Sequence, residues 1–261
     1  MPKSQLKDAI YHIDSSWYLG DRSGFLHSEN EPATGILKKN YAAIKTEILN
    51  NFDATLIHLK TNYTPYSADT SGWKSINFYT YFLKYPDNCK KFPVINSIVN
   101  QIPNKCMAMI SVLEPGAKIA PHIGDTDGID RHHLGIKIPS EDSSLVGLQI
   151  KRETRHWSEG EVLSFCNMHR HRAWNLTNEY RVVLIVDTIR SDLISKQYDV
   201  AAKTLAVIAM KHIARQTPAL KSIPKWLIRT IHTIFAATFK LILFIERKIG
   251  IHFMAITGRD N

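Results

Sequence analysis

A chain of 261 residues and 29.8 kDa, with 44% hydrophobic and 22% charged residues, 12 Gly and 11 Pro, is long enough to bury a sizeable core. That composition excludes collagen-like, low-complexity and wholly disordered chains. The net charge of +9 is segregated: residues 191–261 carry 11 bases against 4 acids, whereas residues 1–190 carry 22 against 20. The body is nearly neutral, which argues against a nucleic-acid partner. Three cysteines, Cys89, Cys106 and Cys166, lie far apart and form no CxxC pair, so neither a disulfide framework nor a Cys-built zinc site is expected. Reduced thiols and the lack of an apolar leader among the first twenty residues predict a cytoplasmic, non-secreted protein.

Apolar residues at helical spacing predict helices over 40–52 (Tyr41, Ile44, Ile48, Phe52) and 92–102 (Val94, Ile95, Ile98, Val99, Ile102). The intervening 61–85, dense in Tyr, Ser and Thr, reads as loop. From residue 105 to about 190 the pattern becomes short strands broken by turns: 107–113, 131–138, 145–151, 161–165, 171–175 and 180–187. Many short strands at this spacing predict a mainly β fold, a jelly-roll barrel. Residues 1–190 form one domain on this reading, with its core at about 105–190, and residues 191–261 form a basic helical tail.

The tail holds two helix candidates, 200–215 and 224–249. The second is almost wholly apolar apart from a narrow stripe of Arg229, Thr233, Lys240 and Arg247. Arg229, His232 and Lys240 interrupt 226–245, and a mid-bilayer charge costs about 2.5–3.5 kcal/mol. A wide apolar face beside a basic stripe suits a membrane surface better than a crossing. The other expectation is a helical hairpin packed on the barrel or on a second subunit, giving an oligomer.

Six of the 12 histidines fall in the strand-rich stretch: His122, His132, His133, His156, His169 and His171. Neutral imidazole is the commonest protein metal ligand, and two of them on separate barrel strands can converge on one ion. Residues two apart in a strand share a face, so Arg131 goes with His133 and away from His132. Parity does not choose between His169 and His171. Arg181 shares a face with Val183 and Ile185. An inward guanidinium there needs a carboxylate or phosphate partner, unless it forms a rim salt bridge.

The ordered run Pro115-Gly116, Pro121-His122-Ile123-Gly124, Arg131-His132-His133-Leu134-Gly135 and Ile138-Pro139 resembles the aspartyl/asparaginyl β-hydroxylase family. The match continues through 157–161, Phe165, His171-Arg172-Ala173-Trp174 and 181–187. It covers 106–190 strongly and extends weakly upstream through Trp73 and Phe92-Pro93 to about Glu29. The resemblance implies a double-stranded β-helix (cupin-like) and an Fe(II)- and 2-oxoglutarate-dependent dioxygenase using O2. It implies His122 and His171 as iron ligands. Arg181 and Ser111 would then hold the distal carboxylate of 2-oxoglutarate, with Arg131 and His133 near its other carboxylate. Most dioxygenases of this fold add a carboxylate ligand in an HxD/E…H pattern; Gly124 stands there instead, as in the β-hydroxylases. Asp125 and Asp127 are the nearby carboxylates that stand as alternatives.

Candidate substrate contacts are Trp73, Tyr79, Gly124 and Trp174, with Tyr63 and Tyr66, although aromatic core is an equal reading for the tyrosines. The first substrate reading is the β-carbon of Asp or Asn in a protein, peptide or peptide-like substrate, and Gly124 is taken to favour it. The second is a membrane-lipid acyl chain, suggested by the basic tail. A barrel that binds metal or ligand without turnover is the non-enzymatic alternative.

Overall fold

The computed structural model describes residues 8–13, 18, 20–27, 29, 31–52, 72–217 and 223–256. Two short helices, α1 (Pro32–Lys39) and α2 (Tyr41–Asn50), precede strand β1 (Trp73–Thr80) and the short β2 (Leu83–Lys84). Helices α3 (Pro86–Lys91) and α4 (Pro93–Gln101) each open with a proline in the first turn, where its missing N–H costs nothing. The barrel strands follow as β3 (Lys105–Leu113), β4 (Lys118–His122), β5 (Ile129–Lys137), β6 (Val146–Ile150), β7 (Glu153–Arg155), β8 (Val162–Phe165), β9 (His171–Asn175) and β10 (Arg181–Ile189).

The strands form a six-stranded sheet, β2-β1-β3-β10-β5-β8, facing a four-stranded sheet, β4-β9-β6-β7. Every strand pairing within them is antiparallel. Alternation sorts the side chains of the large sheet into two cores. Met107, Met109, Val183 and Ile185 meet Ile119, Leu148, Ile150 and Ala173 of the small sheet. Ile110, Val182, Leu184 and Leu134 point the other way, under Leu37, Ile44, Ile48 and Ile95 of the helices. Because both faces are covered, β10 is buried along its whole length, which is why it reads as a continuous apolar run. The result is the jelly-roll expected from the strand spacing, with helices N-terminal to it and after it.

Two segments differ from expectation. Part of the stretch read as loop, 61–85, is strand β1. A bulge between Asn77 and Tyr79 breaks its period of two, and Tyr and Thr in it are themselves strand formers. Strand β4 was not expected, because Pro121 interrupts it. It lies at the edge of the small sheet, where a residue without an N–H is tolerated.

After β10 a 3-10 turn (Ser191–Lys196) leads into α5 (Gln197–Gln216), then α6 (Lys225–Ile249) and a final turn α7 (Phe253–Ile256). Val200, Ala201, Ala202 and Leu205 of α5 join the apolar cluster that fills the barrel. Helix α6 packs on α5 and is pinned by two buried polar groups. His232 Nε2 donates to the Lys203 carbonyl (3.0 Å), and the Glu246 carboxylate accepts the Lys84 N–H (2.8 Å). Gly250, at φ +77°, caps its C-terminus. By length and composition α6 is apolar enough to cross a membrane, and little of it is buried. Trp226, Ile234, Leu241 and Phe244 are each more than half exposed.

Candidate active site

The β4–β9 pairing sets His122 directly opposite His171. Their rings lie 4.1 Å apart between centroids. Each Nδ1 sits against a main-chain carbonyl two residues back, Ala120 O at 2.9 Å for His122 and His169 O at 2.8 Å for His171. A carbonyl only accepts, so both Nδ1 atoms carry the proton and both lone pairs lie on Nε2. Carbonyl-held imidazoles of this kind are how proteins orient metal ligands. Burial pushes His122 down to about 4 and His171 well below its usual value, so both rings are neutral, the ligating form, at pH 7.

The two rings share a cavity with Trp73, Ser111, Arg131, His133, Trp157, Phe165 and Arg181. Arg131 lies opposite Asp187 across β5 and β10 and gives it two hydrogen bonds, Nε to Oδ1 at 2.8 Å and Nη2 to Oδ2 at 2.7 Å. Burial opposes this cation, but the Asp187 carboxylate outweighs it and raises the Arg131 pKa. His133 shares the Arg131 face, as parity required. It stacks on Trp157 and meets Phe165 edge-on at 4.8 Å. His132 points the other way, to Ser164 and Thr188.

Arg181 is 1% exposed, and its guanidinium lies 4.8 Å over the Trp157 ring. No carboxylate among the described residues pairs with it, Nε has no partner, and burial alone drives its pKa down. Both ring nitrogens of His133 and the Trp157 indole N–H are also buried without partners. Buried polar groups are rarely left so, and four such atoms around one cavity mark a place for a polar ligand. Trp73 Nε1 donates to Ser111 Oγ (3.0 Å), orienting that hydroxyl at the cavity wall.

The expected residues divide accordingly. His122, His171, Ser111, Arg131, His133, Arg181 and Trp73 are brought together. Tyr79 is not: its hydroxyl donates toward Asn96 and Asn100 of α4 (2.9 and 3.0 Å), on the helix-covered side of the sheet. Trp174 is not, because it follows the Arg172 face of β9; its indole N–H reaches the Ser143 and Ser144 carbonyls outside the barrel. Tyr63 and Tyr66 lie outside the described residues. Gly124 lies against Asn167, whose carbonyl accepts its N–H at 2.8 Å. A Cβ on Gly124 would stand 2.6 Å from the Asn167 side chain, so no ligating carboxylate fits there while Asn167 is in place.

Asp125 does not fill that role, because it pairs with Lys211 of α5 at 2.9 Å. Asp127 accepts from the Tyr18 hydroxyl and the Ile10 N–H, both at 2.7 Å. Among the described residues no three His, Cys, Asp or Glu side chains converge on a metal position. His169 donates Nε2 to the Arg22 carbonyl (2.6 Å), and His156 contacts the Trp157 carbonyl. Sequence reasoning missed Asp187, Trp157 and Asn167. Asp187 had a legible signal, since it is the one acid in an apolar strand and shares parity with Arg181.

The donor set fits a first-row divalent ion that keeps open positions: two neutral imidazoles and no protein carboxylate. The uncompensated Arg181 fits a carboxylate delivered by a small molecule.

The profile of the Aspartyl/Asparaginyl beta-hydroxylase family matches residues 38–191. An ornithine lipid ester-linked acyl 2-hydroxylase of Rhizobium tropici is 32% identical over 164 residues, 61% of this chain and 58% of that protein. Aspartate beta-hydroxylase domain-containing protein 2 of Homo sapiens is 32% identical over 178 residues, 60% of this chain and 47% of that protein. Aspartyl/asparaginyl beta-hydroxylase of Homo sapiens is 27% identical over 130 residues, 48% of this chain and 17% of that protein. The chain therefore spans less than two thirds of the length of each of these relatives. Since the profile covers more than half of the chain, from α1 to the end of β10, the protein belongs to the aspartyl/asparaginyl β-hydroxylase family.

Proposed function

We propose that the protein is an Fe(II)- and 2-oxoglutarate-dependent hydroxylase acting on an unactivated C–H bond. The carrying observation is the buried, uncompensated Arg181 in one cavity with the carbonyl-oriented pair His122 and His171. When bound, iron with 2-oxoglutarate and O2 supplies the oxidising power, converting C–H to C–OH with release of succinate and CO2.

The chain's own part is orientation. His122 and His171 would hold the ion through Nε2. Arg181 would take the distal carboxylate of the co-substrate, with Ser111 Oγ fixed beside it by Trp73. Asp187 keeps Arg131 charged and in place near the metal end, and His133 offers two unpaired ring nitrogens to the same ligand. The cavity is small, about 30 Å³.

For the substrate we favour a membrane-lipid acyl chain over Asp or Asn in a peptide. The supporting observation is the outward face of α6, where Trp226, Ile234, Leu241 and Phe244 stand in solvent; the flanking cations Lys240 and Arg247 also reach α5, at Asp199 and over the Tyr198 ring. One relative is named an acyl 2-hydroxylase of a lipid, which agrees with that reading. On that reading the protein would work peripherally at a membrane surface.

The test follows succinate release in the presence of iron, ascorbate and either lipid extract or Asp/Asn peptides, with mass spectrometry for one added oxygen. His122→Ala is expected to abolish metal binding and turnover. Arg181→Met should raise the 2-oxoglutarate requirement by about 10- to 100-fold, the worth of a charged hydrogen-bonded pair. Unchanged co-substrate saturation in Arg181→Met would refute its assignment, and oxygen added only to peptides would refute the lipid substrate.

A further inference from the structure

Residues 123–128 join β4, which ends at His122, to β5. None of them continues the ladder of the small sheet, and β4 is that sheet's edge strand. The chain that follows His122 is therefore held by contacts with distant segments. Gly124 N–H donates to the Asn167 carbonyl (2.8 Å), Asp127 N–H donates to the Ile10 carbonyl (3.1 Å), and the Asp125 carbonyl accepts the His12 N–H (2.9 Å).

Lys211 of α5 adds a charged contact from 86 positions away. Its Nζ donates to Asp125 Oδ1 and to His12 Nδ1, each at 2.9 Å, closing a ring with the backbone bond between His12 and Asp125. The pair is largely buried, with the Lys211 side chain 19% and the Asp125 side chain 12% exposed, so loss of one partner strands the other. The helix behind the ammonium has a fixed base. Val200, Ala201, Ala202 and Leu205 of α5 lie in the apolar cluster that fills the barrel. A charged contact carried by a rigid element can set the place of a neighbouring metal ligand, as outer contacts do at metal sites.

We propose that Lys211 is a positioning residue for the metal pair: through Asp125 it fixes the segment behind His122 and so holds His122 Nε2 in register with His171 Nε2. The inference rests on the metal reading of that pair given above and adds a residue of the tail to it. Asp125 stands three positions after His122, at the end of β4 where strand pairing no longer holds the chain. Metal–ligand distances are kept to within about 0.2 Å, so a small drift of this segment is enough to weaken binding. Asp125 serves here as a holder of the segment, not as a ligand.

The experiment titrates the full chain with Co(II), an air-stable stand-in for Fe(II), by calorimetry, and records melting temperature and amide hydrogen exchange without metal. Wild type, Lys211→Met, and Lys211→Met combined with Asp125→Asn are compared. Lys211→Met is expected to weaken Co(II) binding about tenfold, the low end for loss of an outer contact. It should also lower the melting temperature, because Asp125 is left buried without its cation, and speed exchange at 123–128 but not in β10. Adding Asp125→Asn should restore most of the melting temperature and none of the Co(II) affinity, a split that a purely stabilising ion pair would not give. Co(II) affinity that stays at the wild-type level in Lys211→Met, or returns with the melting temperature in the double variant, would overturn the proposal. Tighter Co(II) binding in Lys211→Met would overturn it as well, by showing the released Asp125 carboxylate to be a ligand. Failure of the metal reading itself is visible separately, as unchanged Co(II) binding in His122→Ala.

Discussion

Gly124 and Asn167 decide at the residue scale why the proposed metal pair, His122 and His171, has no acidic third member. A methyl group on Gly124 would stand 2.6 Å from Asn167 Cγ, and Asn167 is buried. Gly124→Ala is therefore expected to destabilise the fold by about 1–3 kcal/mol, the usual cost of overpacking. Asn167→Ala in the same chain should recover most of that loss, since the Asn167 Oδ1 it removes has no partner. Urea denaturation of the two single variants and the double variant checks this; additive losses would show that the two side chains do not meet. The neighbouring carboxylates are committed elsewhere, Asp125 to Lys211 and Asp127 to Tyr18. Arg131 and Asp187 show the opposite logic, a buried pair whose members each leave a stranded charge if the other is lost.

At the scale of elements, strand register does the positioning. His122 on an edge strand meets His171 because β4 pairs antiparallel with β9, and Asp187 meets Arg131 because β10 pairs with β5. A slip of one residue would turn either pair to opposite faces. Helix α6 works through its two faces. The inner one is fixed by His232, Leu243 and Glu246, and the outer one shows Trp226, Ile234, Leu241 and Phe244 to solvent. Under the proposed lipid reading, its two polar anchors, His232 to the Lys203 carbonyl and Glu246 to the Lys84 N–H, fit adsorption better than passage through a bilayer. Trp226→Ser with Phe244→Ser is expected to reduce binding to vesicles containing anionic lipid at least tenfold, with an unchanged melting temperature because neither residue is buried. Vesicle binding equal to wild type in a sedimentation assay would remove α6 as the contact.

The whole molecule ties the basic tail to the barrel. Val200 and Leu205 lie in the barrel's own apolar cluster with Leu193 and Leu243. Fully burying one such side chain contributes about 1.5–3 kcal/mol, so their loss together approaches the entire stability of a typical domain, about 5–15 kcal/mol. A chain ending at residue 190 should then be insoluble or lack a cooperative melt, whereas one ending at 217 keeps α5 and should retain a cooperative transition. Gel filtration and calorimetry distinguish the outcomes, and a 1–190 chain as stable as the full protein would make the tail an independent appendage. Asp125–Lys211 gives the tail a second link, to the segment that follows β4.

Local pattern determined much of this protein. Short alternating runs announced the jelly roll, strand parity put Arg131 with His133 and away from His132, and the ordered motifs named the residues that meet in one cavity. Those features are carried by neighbours a few positions apart, which sequence displays directly. Other decisions belonged to contacts between distant segments. The bulge in β1 and the proline in β4 hide strands that only their partners stabilise. Tyr79 and Trp174 were plausible by type and were sent to other faces by sheet geometry. Asn167 filling the space beside Gly124, Asp187 clamping Arg131, and Arg181 left without a counter-ion are juxtapositions across 40 or more residues. Composition and spacing do not encode such meetings; packing in three dimensions does.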